Sequence, residues 1–367
     1  MAKKRPKKRA RKKARGKGPE KPLWTDPPKP SPGPDLDDLP PMHSMEKLLS
    51  MTRGPSRGPD PVAEAQDLIY EAWESPPRRA LALARQALEV SEDCADAYCL
   101  LAQNAKSLRE ATELYRQGVA AGERALGARA FEEDVGHFWG LLETRPYMRA
   151  RAGLASSLWT AGDEEEAVEQ YRDMLRLNPG DNQGLRYVLL GCHLQMGAWD
   201  EAEKLYAAYE DDAMATWAYS RALLDFQREG DAASSRKALR RALEQNPHVP
   251  AYLLGKKRMP ASLPGHHGFG DENEAILYVA DHETAWEIVP GALEWLRGAT
   301  SRATRSTGRS GRWGSAARQE PQRVLDSEWR VGSHFLRRPS RRPRASWRRP
   351  ALIPPAEART SRVRSPR

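Results

Sequence analysis

One phrase recurs three times in the middle of this chain: GDEEEAVEQYRDMLRLNP from Gly162, GAWDEAEKLYAAYEDDAM from Gly197, and GDAASSRKALRRALEQNP from Gly230. The glycines step by 35 and then by 33 residues, and the same two steps connect Tyr171, Tyr206 and Leu239, and again Pro179, Met214 and Pro247. Three registers held in phase through a change of spacing argue for a repeated structural unit. A unit of this length has room for two helices and a turn, and it must bury its apolar face against its neighbours because it cannot do so alone. The sequence therefore predicts an all-α, helical-repeat solenoid.

The period and the residue types resemble the tetratricopeptide repeat. In the first clear unit Leu154, Ala155 and Leu158 fall on the marker places of the first helix, and Ala167, Tyr171 and Pro179 on those of the second. The next unit places Leu189, Leu190, His193, Ala202 and Tyr206 there, and the third Ala222, Leu223, Phe226, Ser235, Leu239, Ala242 and Pro247. Small residues let the paired helices approach, aromatics fill the gap, Gly permits the turn and Pro ends the second helix. Two degenerate units are expected earlier, marked by Ala80, Ala84 and Ala87, and by Ala111 and Tyr115.

Charge is segregated along the chain. Residues 1–21 hold 12 Lys and Arg against one Glu, and residues 298–367 hold 18 Arg against four acids, so with a total of +9 the intervening body is acidic. Residues 1–61 are expected to be a disordered polybasic arm and Pro-rich linker with one short apolar patch, MHSMEKLLSM, able to form a helical turn or two. Residues 62–297 are expected to be the tetratricopeptide-like domain, clearest over 148–250. An Arg/Ser/Pro-rich tail without Lys, expected to be disordered, follows from 298 to 367; its composition is also that of an out-of-frame continuation of a high-GC gene. No run of about 18 apolar residues occurs, so no membrane insertion is expected, and the reading is of a cytoplasmic protein, or a nuclear one in a eukaryote. Cys94, Cys99 and Cys192 form no disulfide framework and no paired metal knuckles, and read as buried packing thiols.

After the last repeat, NPHVPAYLL at 246–254 is followed by GDENEAILYVADHETAWEIVPGALEWL at 270–296. Together these segments resemble the eukaryotic suppressor-of-tumorigenicity-seven protein family, through Asn246, Pro247, His248, Val249, Pro250, Tyr252, Leu253, Leu254, Gly270, Asp271, Glu274, Ala275, Ile276, Tyr278, His282, Trp286, Gly291, Ala292 and Leu293. The resemblance brings no catalytic chemistry. The family's membrane-spanning segments have no counterpart here, so no membrane role is carried over.

Candidate chemistry is sparse. His266, His267, Asp271, Glu272 and His282 include the one metal-like cluster, but a Gly-rich loop offers neither helix spacing nor knuckles, so a solvated loop is the preferred reading and no metal or cofactor is expected. No phosphate loop or zinc-protease motif occurs, and no enzymatic activity is expected. Binding is better supported. The repeat register puts Arg149, Ala152, Ser156, Trp159, Tyr187, Gln195, Trp217, Ser220, Gln227 and Arg228 on a concave groove for a protein or peptide partner, with Trp159, Tyr187 and Trp217 either anchors or packing residues. The places that hold Lys and Asn in chaperone-tail clamps carry Ala152 and Ser156, Tyr187 and Gly191, and Ser220 and Leu224, which argues against that ligand. The insert around Phe138 and Trp139 reads as structural packing ahead of a ligand-contacting loop. A nonspecific polyanion contact, including nucleic acid, is expected from Lys3, Lys4, Arg5, Lys7, Lys8, Arg9, Arg11, Lys12, Lys13 and Arg15. The reading is an adaptor or scaffold; the alternative is a nucleic-acid-associated protein whose basic tails carry the binding.

Overall fold

The structure is a computed structural model and describes residues 42–52 and 58–307. Among these the regular elements are all helical: α1 (Met42–Met51), α2 (Pro61–Trp73), α3 (Pro77–Val90), α4 (Ala95–Gln103), α5 (Leu108–Glu133), α6 (Arg145–Ala161), α7 (Glu164–Leu177), α8 (Leu185–Met196), α9 (Trp199–Ala208), α10 (Ala215–Glu229), α11 (Ala233–Gln245), α12 (Val249–Leu253), α13 (Glu272–Ile288) and α14 (Ala292–Thr307). Successive helices pair, α2 with α3, α4 with α5, α6 with α7, α8 with α9 and α10 with α11. The last three pairs are the three recurrences seen in the sequence.

Local chemistry sets the helix ends. Asp60 accepts from Ala63 N ahead of Pro61, Ser107 from Glu110 N, and Asp271 from Glu274 N, each satisfying an amide that the first turn cannot. Three glutamates open α7 and Arg176 closes it, matching the helix dipole at both ends. Gly162 ends α6 at φ 96°, a conformation that an L side chain resists.

The marker positions pack as a repeat requires. Leu154, Ala155, Leu158, Ala167, Tyr171, Leu189, Leu190, Ala202, Ala222, Leu223, Ser235, Leu239 and Ala242 are all buried, and so are Ala80, Ala84, Ala87, Ala111 and Tyr115 in the degenerate pairs. The closest approach is at Gly153, where a Cβ would stand 2.1 Å from Cε1 of Tyr115. α6 therefore seats on α5 because that position has no side chain. Beyond α11 the pattern breaks. The short α12 leads through a loop to α13, which packs against the first helices of two earlier pairs, α8 and α10. α14 then closes on α10, with Trp295 stacked on Phe226 at 4.5 Å.

Two helices run further than expected. The apolar patch expected to form a helical turn or two is a ten-residue helix, α1, whose Glu46 reaches tertiary partners about a hundred residues away. At the other end α14 continues past residue 297 to Thr307: Trp295 and Leu296 anchor it, and the following ten residues contain no proline to stop it. The polyanion residues Lys3 to Arg15 and the tail from 308 onward lie outside the described residues. No helix of the described residues is long and apolar enough to cross a membrane.

Candidate interaction site

The groove predicted from repeat register is largely closed by the chain itself. Along α8 and α10 the occupant is α13. Gln195 Nε2 donates to the Asp281 carbonyl at 3.1 Å, and a Cβ added at Gly191 would lie 3.4 Å from both that carbonyl oxygen and His282 Nε2. Tyr219 of α10 meets Tyr278 at 5.4 Å and Trp286 at 6.5 Å between ring centroids, and the Trp286 indole donates to the Tyr278 hydroxyl at 2.7 Å. At the start of the helix, Glu274 accepts from Ala215 N and Asn246 Nδ2, both at 2.8 Å, and from Gly270 N at 2.7 Å. Burial raises the Glu274 carboxyl above its usual range, and the three donors only partly oppose that shift. What remains of the groove here is a cavity of about 30 Å³ between Trp159, Cys192, Gln195 and Asp281.

Most of the residues expected on the groove lie in the interior or are partly covered. Trp217 is 1% exposed, stacked on Tyr206 and edge-on to Tyr187 and Tyr209. Tyr187 donates its hydroxyl to Asp212 at 2.8 Å. Ala152, Ser156, Trp159 and Ser220 are buried, and Gln195 is half-buried against α13. Only Gln227 and Arg228 are open to solvent, and Arg228 is committed to Glu203, Asp225 and Glu229. The structure thus joins Tyr187 to Trp217, and Trp159 to Gln195, but gathers no single surface from the predicted set. The reason is physical: helical periodicity fixes which side of a helix is presented, not what later segment covers it.

Arg149 alone leads to a different site. It is 4% exposed, yet its guanidinium is fully used: Nε donates to Asp96 Oδ1 at 2.8 Å, Nη2 to Asp96 Oδ2, and Nη1 to Glu46 Oε1 and Oε2 at 3.2 and 3.0 Å. Arg145, one turn earlier, donates to Glu46 Oε1 at 2.9 Å and to the Trp139 carbonyl at 2.9 Å. Both guanidiniums lie over indoles, Arg149 over Trp73 at 5.2 Å and Arg145 over Trp139 at 5.4 Å. Gln66 Nε2 holds the outer oxygen of Asp96 at 2.9 Å. Burial works against the Arg149 charge, but the Asp96 and Glu46 carboxylates outweigh it and its pKa is raised. Sequence reasoning assigned no role to Glu46 or Asp96. The one available signal was a single acid within the apolar patch at 42–51.

The insert plays the structural role expected of it. Phe138 is fully buried against Phe131 and Tyr147, Phe138 N and Gly136 N both donate to the Leu177 carbonyl, and Trp139 supports Arg145. In the His-rich loop, Asp271 caps α13 and accepts from Gly268 N, while Glu272 pairs with Lys257 and accepts from the Tyr252 hydroxyl. Cys94, Cys99 and Cys192 are buried free thiols, and burial raises the Cys94 thiol to about 12. An open cleft of about 580 Å³ runs between α9 and α11 and is lined by Tyr206, Asp212, Arg221, Asp225, Lys237 and Arg241.

The family model described as ST7 protein matches residues 58–306. Among curated proteins, the chain is 30% identical over 264 residues to a protein ST7 homolog of Drosophila melanogaster, covering 65% of this chain and 49% of that protein. It is 31% identical over 265 residues to a suppressor of tumorigenicity 7 protein-like of Bos taurus, covering 65% and 47%. It is 30% identical over 288 residues to a suppressor of tumorigenicity 7 protein of Macaca fascicularis, covering 65% and 53%. The chain spans about half the length of the curated relatives it matches.

Proposed function

This chain belongs to the ST7 protein family, and we propose that it is a non-enzymatic adaptor of the tetratricopeptide kind, which recognises helical segments of protein partners on the first helices of its pairs. One observation carries this reading: those helices already hold two helices of the same chain, α1 and α13, through specific side-chain contacts. A stack that seats helices in cis has the geometry to seat them in trans, because ridges and pockets along paired helices repeat from unit to unit. The cleft between α9 and α11 adds a second, mixed-charge surface. The basic run at 1–21 would supply a weak contact with a polyanion and so raise the effective concentration near a target. The protein would work in the cytoplasm, or in the nucleus where that run serves as an import signal.

Crosslinked affinity purification tests this, comparing the full chain with one starting at Pro22, each with and without nuclease. Protein partners retained under both treatments are the expected result. Partners lost under either would instead support the second reading, motivated by the 12 positive charges in residues 1–21, that the basic segments carry the function through nucleic acid. A steep fall of affinity with salt would then accompany it.

A further inference from the structure

The contact made by α1 is unusual for a docked helix in how little apolar surface it uses. Leu48 is 62% exposed and Met51 73%, and Met45 and Leu49 also face solvent. Lys47 makes an exposed pair with Glu74 at 3.0 Å, which contributes little. Glu46, in contrast, is 1% exposed and takes three hydrogen bonds from two arginines. Among the described side chains of α1, the buried contact is therefore one carboxylate.

The receiving side is built without help from α1. Asp96 of α4 fixes two edges of Arg149, Gln66 of α2 fixes Asp96, the Trp139 carbonyl fixes Arg145, and Trp73 and Trp139 lie against the guanidinium faces. Such an arrangement is preorganised, so an incoming ligand need not meet the cost of ordering it. Charge adds the requirement for an anion. Arg145, Arg149 and Asp96 carry one net positive charge, so a helix that covers them without bringing a carboxylate would bury that charge uncompensated, which is costly. Paired guanidinium forks match a carboxylate better than lysines would.

We propose that Arg145 and Arg149 form a receptor for a glutamate-bearing helical peptide, that α1 occupies it in cis through Glu46, and that a partner's short helix with a glutamate among apolar residues takes it in trans. This rests on the adaptor reading and names the chemistry of its partner. The short connection from α1 to α2 gives the cis ligand an effective concentration on the order of millimolar. A partner helix must therefore bind better than α1 does, or arrive when α1 is weakened.

The test uses the full chain and, as probe, a fluorescently labelled peptide of residues 42–51, MHSMEKLLSM, with blocked ends, alongside the same peptide carrying Glu46→Gln. Fluorescence polarisation should find the Glu46 peptide binding the Glu46→Gln chain at least about tenfold more tightly than the wild-type chain. The Gln peptide should be at least about tenfold weaker, as loss of charge-assisted hydrogen bonds implies. Arg145→Gln, placed in the Glu46→Gln chain, should weaken the Glu46 peptide by a similar factor. Equal binding of the two peptides, or no binding to a Glu46→Gln chain that keeps its helicity, would overturn the receptor.

If Glu46→Gln unfolds the chain, hydrogen exchange on the wild type decides. Excess Glu46 peptide should speed exchange of the α1 amides and the Gln peptide should not; unchanged exchange with both would overturn the proposal. Dimerisation through exchange of α1 between copies, abolished by Glu46→Gln, would replace the partner helix with a second copy and overturn that part. The probe is the chain's own sequence, so a negative result removes the receptor and leaves the adaptor reading standing. Failure of partner capture would instead remove the adaptor.

Discussion

α1 and α13 both cover first helices of the stack, and they are held there by different chemistry. α13 buries Ala275, Ile276, Tyr278, Val279, Ala285 and Trp286 in a core shared with α8 and α10, and its polar groups are satisfied mostly by backbone partners and neutral side chains. α1 leaves Met45, Leu48, Leu49 and Met51 open to water and places one buried glutamate on two arginines. Burial of apolar area gains about 25 cal/mol per Å², so α13 is integral to the fold. A single charge cluster nets far less after desolvation. A helix can thus be seated in a specific place without being part of the core.

The sharpest way to break this contrast is Trp286→Ala. Removing a fully buried indole should cost about 3–5 kcal/mol and lower the denaturation midpoint of the whole C-terminal half; a change within error would mean that α13 is only a passenger. Glu274→Ala should cost about 2–3 kcal/mol by leaving Ala215 N, Gly270 N and the Asn246 amide with an acceptor removed. Its conservative partner, Glu274→Gln, tests the pH dependence. Because burial raises the Glu274 carboxyl in the folded state, its stabilising contribution is complete below the unfolded carboxylate pKa and is lost as pH rises through the folded one. As pH rises from the unfolded carboxylate pKa through the folded one, the wild type should therefore lose stability relative to Glu274→Gln, by chemical denaturation at each pH. A flat difference would refute the shift.

Effects at α1 should be smaller and local. Glu46→Gln should release α1, seen as roughly 10–100-fold faster amide exchange over residues 44–51, while the global midpoint moves by less than about 1–2 kcal/mol, since undocking lets Arg149 regain water. Large global unfolding would place α1 in the core after all. Smallest of all, Leu48→Lys should change stability by no more than about 0.5 kcal/mol and leave α1 exchange unaltered; a clear loss would mean that the apolar side of α1 is already engaged.

How much of this was legible differs between the two regions. The repeat residues from Leu154 to Ala242 were readable because each sits at a fixed offset from a helix neighbour, and local spacing alone buries them. Ser220 lies off any open groove because the same spacing says nothing of α13, nearly sixty residues distant in sequence, whereas Trp217 is enclosed by Tyr187, Tyr206 and Tyr209 of the repeats themselves. Glu274 and Trp286 were visible as family-matching positions, but not as the residues that seat a helix. Glu46 and Asp96 were not legible as a pair, since they meet on Arg149 across separations of 103 and 53 residues.

Periodicity and residue type were enough to set the helical class, the repeat register and the burial of small markers such as Ala155 and Ala167, because those follow from spacing and side-chain size along a single helix. Tertiary structure alone decided which faces stay open. It folded α13 back over α8 and α10 and drew α1 to Arg145 and Arg149, since covering a face depends on distant segments finding complementary shape and charge, and such complementarity leaves no local period to read.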